Sequence, residues 1–160
     1  MTTASGDGGR GDERHRAREA ALRALYQIEM GGVDAVQAMA LVEQAGDDDA
    51  VVLDSSGRAF ATRLVAGTWT TKVALDAVIE RHCTNWRIER LAVIDRLVLR
   101  LAVHEWLAEA STPPRVVLSE ALELARSYSG EQAVGFVNGV LDAVYHQLRS
   151  EGRIIDEPAH

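Results

Sequence analysis

Apolar residues recur at three- and four-residue spacing through most of this chain, the period of a helix with one buried face. Ala17, Ala21, Leu25 and Ile28 form the first stripe and predict a helix from about Glu13 to Met30, stopped by Gly31-Gly32. A weaker helix is predicted over Asp34 to Gln44, with Asp34 as its N-cap. Gly46 and the aspartates 47, 48 and 49 read as a connecting loop. Ser55 or Ser56 can cap a long helix from about Gly57 to Arg81, with Phe60, Leu64, Ala74, Leu75 and Val78 on its apolar face. Gly67 inside that helix predicts a close helix contact or a bend.

Thr84-Asn85-Trp86-Arg87 breaks the pattern and marks a boundary between two helical halves. Leu91, Ile94, Leu97, Val98 and Leu101 form the next stripe, ending near Leu107. In Thr112-Pro113-Pro114, Thr112 can cap and Pro113 suits a first helical position. Leu118, Ala121, Leu122, Ala125 and Tyr128 then share a face, closed by Ser129-Gly130. The last stripe is Ala133, Val137, Val140, Leu141, Val144 and Leu148. Strand-like alternation is hard to find, so the fold class is all-α, with six to seven helices and antiparallel neighbours. The predicted organisation is a disordered tail (1–12), an N-terminal helical bundle (13–85), a C-terminal helical bundle (86–149) and a frayed tail (150–160). One segment of the last stripe stands out. Phe136 to Asp142 contains Asn138 and Gly139, which helix interiors disfavour, and predicts an amide contact and a close backbone approach.

Composition narrows the classes. Apolar content of 47% over 160 residues suits one domain or two small halves. The net charge of -7 excludes a protein that is basic overall, yet Arg10, Arg14, Arg16, Arg18 and Arg23 cluster at the start. That asymmetry predicts a local basic patch on an acidic body. The single cysteine, Cys83, rules out an intrachain disulfide or a cysteine-built metal site and points to a reducing compartment. No stretch approaches the ~20 apolar residues of a membrane span. The first eleven residues lack the apolar core of a signal peptide, so a cytoplasmic location is expected.

A catalytic set is not evident, and neither an enzyme, a metal nor a cofactor is expected. Cys83 beside His82 is no nucleophile pair, because adjacent helical residues point to different faces. Gly6, Gly8, Gly9 and Gly11 follow no strand and make no phosphate loop. The basic start is more informative. Arg14 and Arg18 share a helix face, with Arg16 to the side and His15 between them. Guanidinium forks suit phosphates and stack on bases of single-stranded RNA. The bland reading is a solvated helix start partnered by Asp12, Glu13 and Glu19. Arginines near a helix N-terminus oppose the macrodipole, which favours a role beyond helix stability.

Four segments resemble one family. These are Arg14-His15-Arg16-Ala17-Arg18-Glu19 with Ala24-Leu25-Tyr26-Gln27; Arg96 to Glu105; Pro114 to Ala125, with its Glu120-Ala121 and Leu124-Ala125 pairs; and Phe136 to Asp142. In this order, over about residues 14 to 148, they resemble the NusB family of bacterial transcription antitermination factors. The resemblance implies two three-helix bundles packed across each other. It also implies binding of boxA-type single-stranded RNA in ribosomal RNA leaders together with NusE, a small-subunit ribosomal protein. Such a complex helps RNA polymerase read through terminators. By resemblance Arg14, Arg16 and Arg18 match the RNA-binding motif, with His15 where a further arginine is common. Phe136 and Asn138 match C-terminal positions near the same RNA face, Phe136 as core or base-stacking ring, Asn138 as packing amide or RNA ligand. Tyr26 reads as core with its hydroxyl outward, and helices between about Arg87 and Glu105 as the NusE surface. Gly135 stands where the family often has lysine, so both it and His15 remove a phosphate contact. Members include monomers and dimers, so a homodimer is one expected state. Two alternatives are a protein-interaction scaffold with little RNA affinity and the NusB-like domain of an rRNA methyltransferase.

Overall fold

The computed structural model of the chain describes residues 5–45, 51–84 and 86–154, with residues 5–8 and 10 described by backbone alone. The predicted loop at Gly46 and the three aspartates, Asn85 of the predicted break, and both chain ends lie outside these residues. Among the described residues the fold is all-α, as the periodicity predicts. Its seven α-helices are α1 (Ser5–Gly31), α2 (Ala35–Glu43), α3 (Ser55–Thr70), α4 (Lys72–Glu80), α5 (Val93–Ala108), α6 (Pro114–Tyr128) and α7 (Glu131–Ser150), with a 3₁₀ turn at Ile88–Arg90. Contacts divide the chain into two compact units, residues 1–66 and 67–160, a division that falls inside α3.

In the first unit, α1 packs on α2. The α1 stripe is buried as predicted, through Ala17, Ala21, Leu25 and Ile28, and Ala20, Leu22 and Ala24 widen it. The helix starts at Ser5 rather than near Glu13. Once a packed segment nucleates a helix, each added residue costs little, and a polar extension leaves no periodic trace. At its end Gly32, with φ of 67°, donates its N–H to the Ile28 carbonyl at 3.0 Å in a left-handed cap. Asp34 caps α2 as predicted: its carboxylate accepts from the Gln37 N–H at 2.8 Å, and the Gln37 side chain accepts from the Asp34 N–H at 3.3 Å. The cap of α3 is not Ser55 or Ser56 but Asp54, whose carboxylate accepts from the Gly57 N–H at 2.8 Å.

The long helix predicted from Gly57 to Arg81 is two helices. Thr71 interrupts it: its hydroxyl donates to the Gly67 carbonyl at 2.7 Å, and its backbone leaves the helical region. Threonine side chains compete with the helix ladder in this way, and Thr68, Thr70 and Thr71 fall together. Gly67 is the close contact its position predicted, since a Cβ there would overlap the His104 imidazole.

In the second unit α5 is the central element, touching α4, α6 and α7. Every residue from Leu97 to Val103 is buried, and each fully buried leucine contributes ~1.5–3 kcal/mol relative to exposure. One of these residues is Arg100, whose guanidinium grips Asp76 of α4 through Nε at 2.6 Å and Nη2 at 2.7 Å. Helix α6 begins one residue later than predicted, with Pro114 first and no side-chain cap from Thr112. The α7 stripe is buried at all six predicted positions. Its end is not frayed through residue 154. Gly152, with φ of 72°, lets the Arg153 N–H reach the Leu148 carbonyl at 2.9 Å, and Ile154 is buried.

Candidate nucleic-acid interface

The basic run lies on α1, and the structure sorts its members. Arg16 is exposed, Arg14 and His15 are half-buried, and Arg18 is buried at 3% exposure. Arg14 and Arg18, one helical turn apart, converge on a residue of α3 that the sequence reading placed only in the core. Phe60 is 1% exposed, and the Arg14 and Arg18 guanidinium carbons lie 3.9 and 5.3 Å from its ring centroid. Arg63, one turn along α3, lies 5.5 Å from the same centroid. All three fall inside the ~6 Å range in which the negative face of an aromatic ring attracts a cation.

Carboxylates border this cluster. Glu13 and Asp54 share a hydrogen bond, which raises the Glu13 pKa and lowers that of Asp54. Asp54 is held down further by the N–H groups of Gly57 and Ser56 at the start of α3, and Arg16 adds a smaller lowering effect on both acids. Of the two acids Asp54 therefore holds its charge to lower pH, and Glu13 takes up a proton first as pH falls. Gly57 makes room for this arrangement, because a Cβ there would stand 3.1 Å from the Glu13 carboxyl oxygen. His15 Nε2 lies 4.0 Å from Glu19 one turn on.

The C-terminal candidates are on α7. Phe136 is half-buried at the edge of the apolar stripe. Asn138 is exposed, with Gly135, Gly139 and Asp142 on the same outer face. The close backbone approach predicted at Gly139 is not present: a Cβ built there meets nothing within 4 Å. Tyr26 is also less buried than a core role requires, at 40% exposure.

The grouping of Phe60 and Arg63 of α3 with the α1 arginines is a tertiary feature with only a faint trace in the sequence. The available signal was their i, i+3 spacing, which places an arginine beside an apolar position on one helix face.

Other chemistry is sparse. Among the described residues no group of three or more His, Cys, Asp and Glu side chains is placed to hold a metal ion. His82 turns away from Cys83 and bonds the Gln147 side chain at 2.6 Å, while burial, aided by the Glu80 charge, pushes the Cys83 thiol pKa up. A cavity of about 360 Å³ in the second unit is walled largely by Trp106, Pro113, Pro114, Leu118 and Tyr145. No described helix is long and apolar enough to cross a membrane.

Comparison with known proteins places these features. The model of the NusB family matches residues 15–146. The chain is 42% identical over 142 residues to the transcription antitermination protein NusB of Salinibacter ruber, covering 88% of this chain and 86% of that protein. It resembles the solved structure of NusB from T. maritima with a TM-score of 0.73 and 35% identity, over 84% of this chain and 91% of that one. It also resembles a chain in a crystal structure of antitermination factors NusB and NusE in complex with dsRNA, with a TM-score of 0.75 and 29% identity, over 85% and 98% of the two chains. The family match takes in the arginine run from His15, the Phe60 cluster and the outer face of α7, and the chain belongs to the NusB family.

Proposed function

We propose that this chain is a transcription antitermination factor that binds boxA-type RNA of ribosomal RNA leaders together with NusE, within an RNA polymerase antitermination complex. The observation that carries the reading is the likeness to NusB in complex with NusE and dsRNA across 85% of this chain. The factor acts in the cytoplasm by binding, without a catalytic step. In the first unit, Arg14, His15 and Arg16 contact the RNA, and buried Arg18 acts from beneath by fixing Phe60 and hence Arg14. In the second, exposed Asn138 and the edge of Phe136 offer an amide and a ring on a helix face that Gly135 and Gly139 leave bare.

About four phosphate contacts give a log–log salt slope near ~-3 for single-stranded RNA. A gel shift with boxA-type RNA, with and without NusE, tests the reading. Binding by the wild type that weakens when Arg14 and Arg16 are replaced by alanine supports it. Unchanged binding removes the assigned residues, and binding of a duplex alone overturns the single-stranded target.

A further inference from the structure

We propose that Arg63 of α3 is a further RNA-phosphate contact, and that Phe60 is the positioning residue that sets Arg63 and Arg14 side by side. The proposal rests on the RNA-binding reading above and extends it from the arginine run of α1 to a second helix.

The geometry carries it. Three guanidinium groups from two helices converge on one buried ring, at 3.9, 5.3 and 5.5 Å from its centroid. Like charges gathered this closely repel one another. The ring face and the bordering carboxylates of Glu13 and Asp54 offset part of that repulsion, and a phosphate arriving at the exposed side of the cluster offsets more. The chain carries a net charge of -7, so this concentration of positive charge is a local feature and not a consequence of overall composition. Phe60 itself, 1% exposed, cannot stack on a base; its contribution is to hold the cations. Exposure then separates the three. Arg18 is buried, Arg14 is half-buried and Arg63 is exposed. At 5.5 Å from the ring centroid Arg63 lies within cation–π range, which biases its guanidinium towards the Arg14 side of the cluster, where its planar fork can meet the paired oxygens of a phosphate. The cationic surface offered to RNA is therefore Arg14, Arg16 and Arg63, not the linear motif alone.

The experiment measures binding of the full chain to a boxA-type RNA oligonucleotide by fluorescence anisotropy across a salt series, with a scrambled strand as control. Arg63→Ala is expected to weaken binding about tenfold, comparably to Arg14→Ala, and to make the salt slope shallower by about 0.7, the loss of one phosphate contact on single-stranded RNA. Arg63→Lys is expected to keep the slope and recover part of the affinity, because the charge remains while the fork is lost. Phe60→Leu is expected to weaken binding with the slope unchanged. Should that variant misfold by circular dichroism, the Arg63 pair still decides the question. Wild-type affinity and slope in Arg63→Ala, while Arg14→Ala weakens binding, overturns the proposal and leaves the RNA reading standing. Weaker binding with an unchanged slope in Arg63→Ala also overturns it, by showing a structural role. Loss of NusE binding without loss of RNA binding overturns it as well, in favour of a protein contact. If neither Arg14→Ala, Arg16→Ala nor Arg63→Ala alters RNA binding, the RNA reading of this cluster fails together with the proposal.

Discussion

Gly67→Ala puts two comparable effects in opposition, so its sign is informative. Gly67 lies within α3, where alanine gains about 1 kcal/mol of helix propensity. Its Cβ, however, would overlap Nε2 and Cε1 of His104 and stand 3.3 Å from Cδ2. Overpacking of this kind costs about 1–3 kcal/mol. The net expectation is a loss of up to about 2 kcal/mol, or roughly 2–4 °C in Tm for each kcal/mol in a chain of this size. Relief requires the half-buried imidazole to swing outward, and that carries a second readout. Burial holds the His104 pKa below its ordinary 6.5, while Glu109 and Glu105 pull it part of the way back. The unfolded state therefore takes up a proton first as pH falls below about 6.5, and stability declines from there towards the folded-state pKa. In Gly67→Ala the displaced ring gains solvent, so its pKa rises and this acid-side loss shrinks. Thermal melts and an NMR titration of His104 measure both effects. In a His104→Ala background the clash is gone, and the same glycine substitution is expected to stabilise by about 1 kcal/mol. A full stabilisation of about 1 kcal/mol by Gly67→Ala in the wild-type background, with the His104 titration unmoved, refutes the packing argument.

Two further substitutions test the fold and the α7 face. Asp76→Asn leaves Arg100, with a side chain only 8% exposed, without its carboxylate, and is expected to lower stability by about 3 kcal/mol. Replacing both members by leucine and methionine is expected to restore much of that loss, and a calorimetric Tm within about 2 °C of wild type for Asp76→Asn contradicts the assignment. Gly139→Ala, at an exposed helical position with nothing within 4 Å of the new Cβ, is expected to stabilise by about 1 kcal/mol, and a fall in Tm shows a contact the structure does not contain.

These substitutions also mark where the sequence was legible. Periodicity reports which side of a helix is buried, and all six α7 positions and all four α1 positions are in the core, whereas Leu118, Leu122 and Tyr128 of the α6 stripe are only half-buried and Ala74 is exposed. It does not report breaks made by side-chain hydrogen bonds, so Thr71 divided a helix whose apolar spacing runs on through Leu75 and Ile79. The choice among Asp54, Ser55 and Ser56 as cap was equally open, because all three residue types cap and only the fold selects the carboxylate that also meets Glu13. Phe60 is core, as its place in the apolar stripe predicts, yet its ring face also gathers cations from α1 and α3, a tertiary role that no one-dimensional pattern encodes. Asn138 and Gly139 show the converse. Their poor helix propensity predicts a packing demand, but both lie on the outer face of α7. An exposed glycine with open space around it repays its cost through no contact within the fold. Gly139→Ala therefore tests this point directly, because a rise in Tm shows that packing within the fold does not explain the glycine.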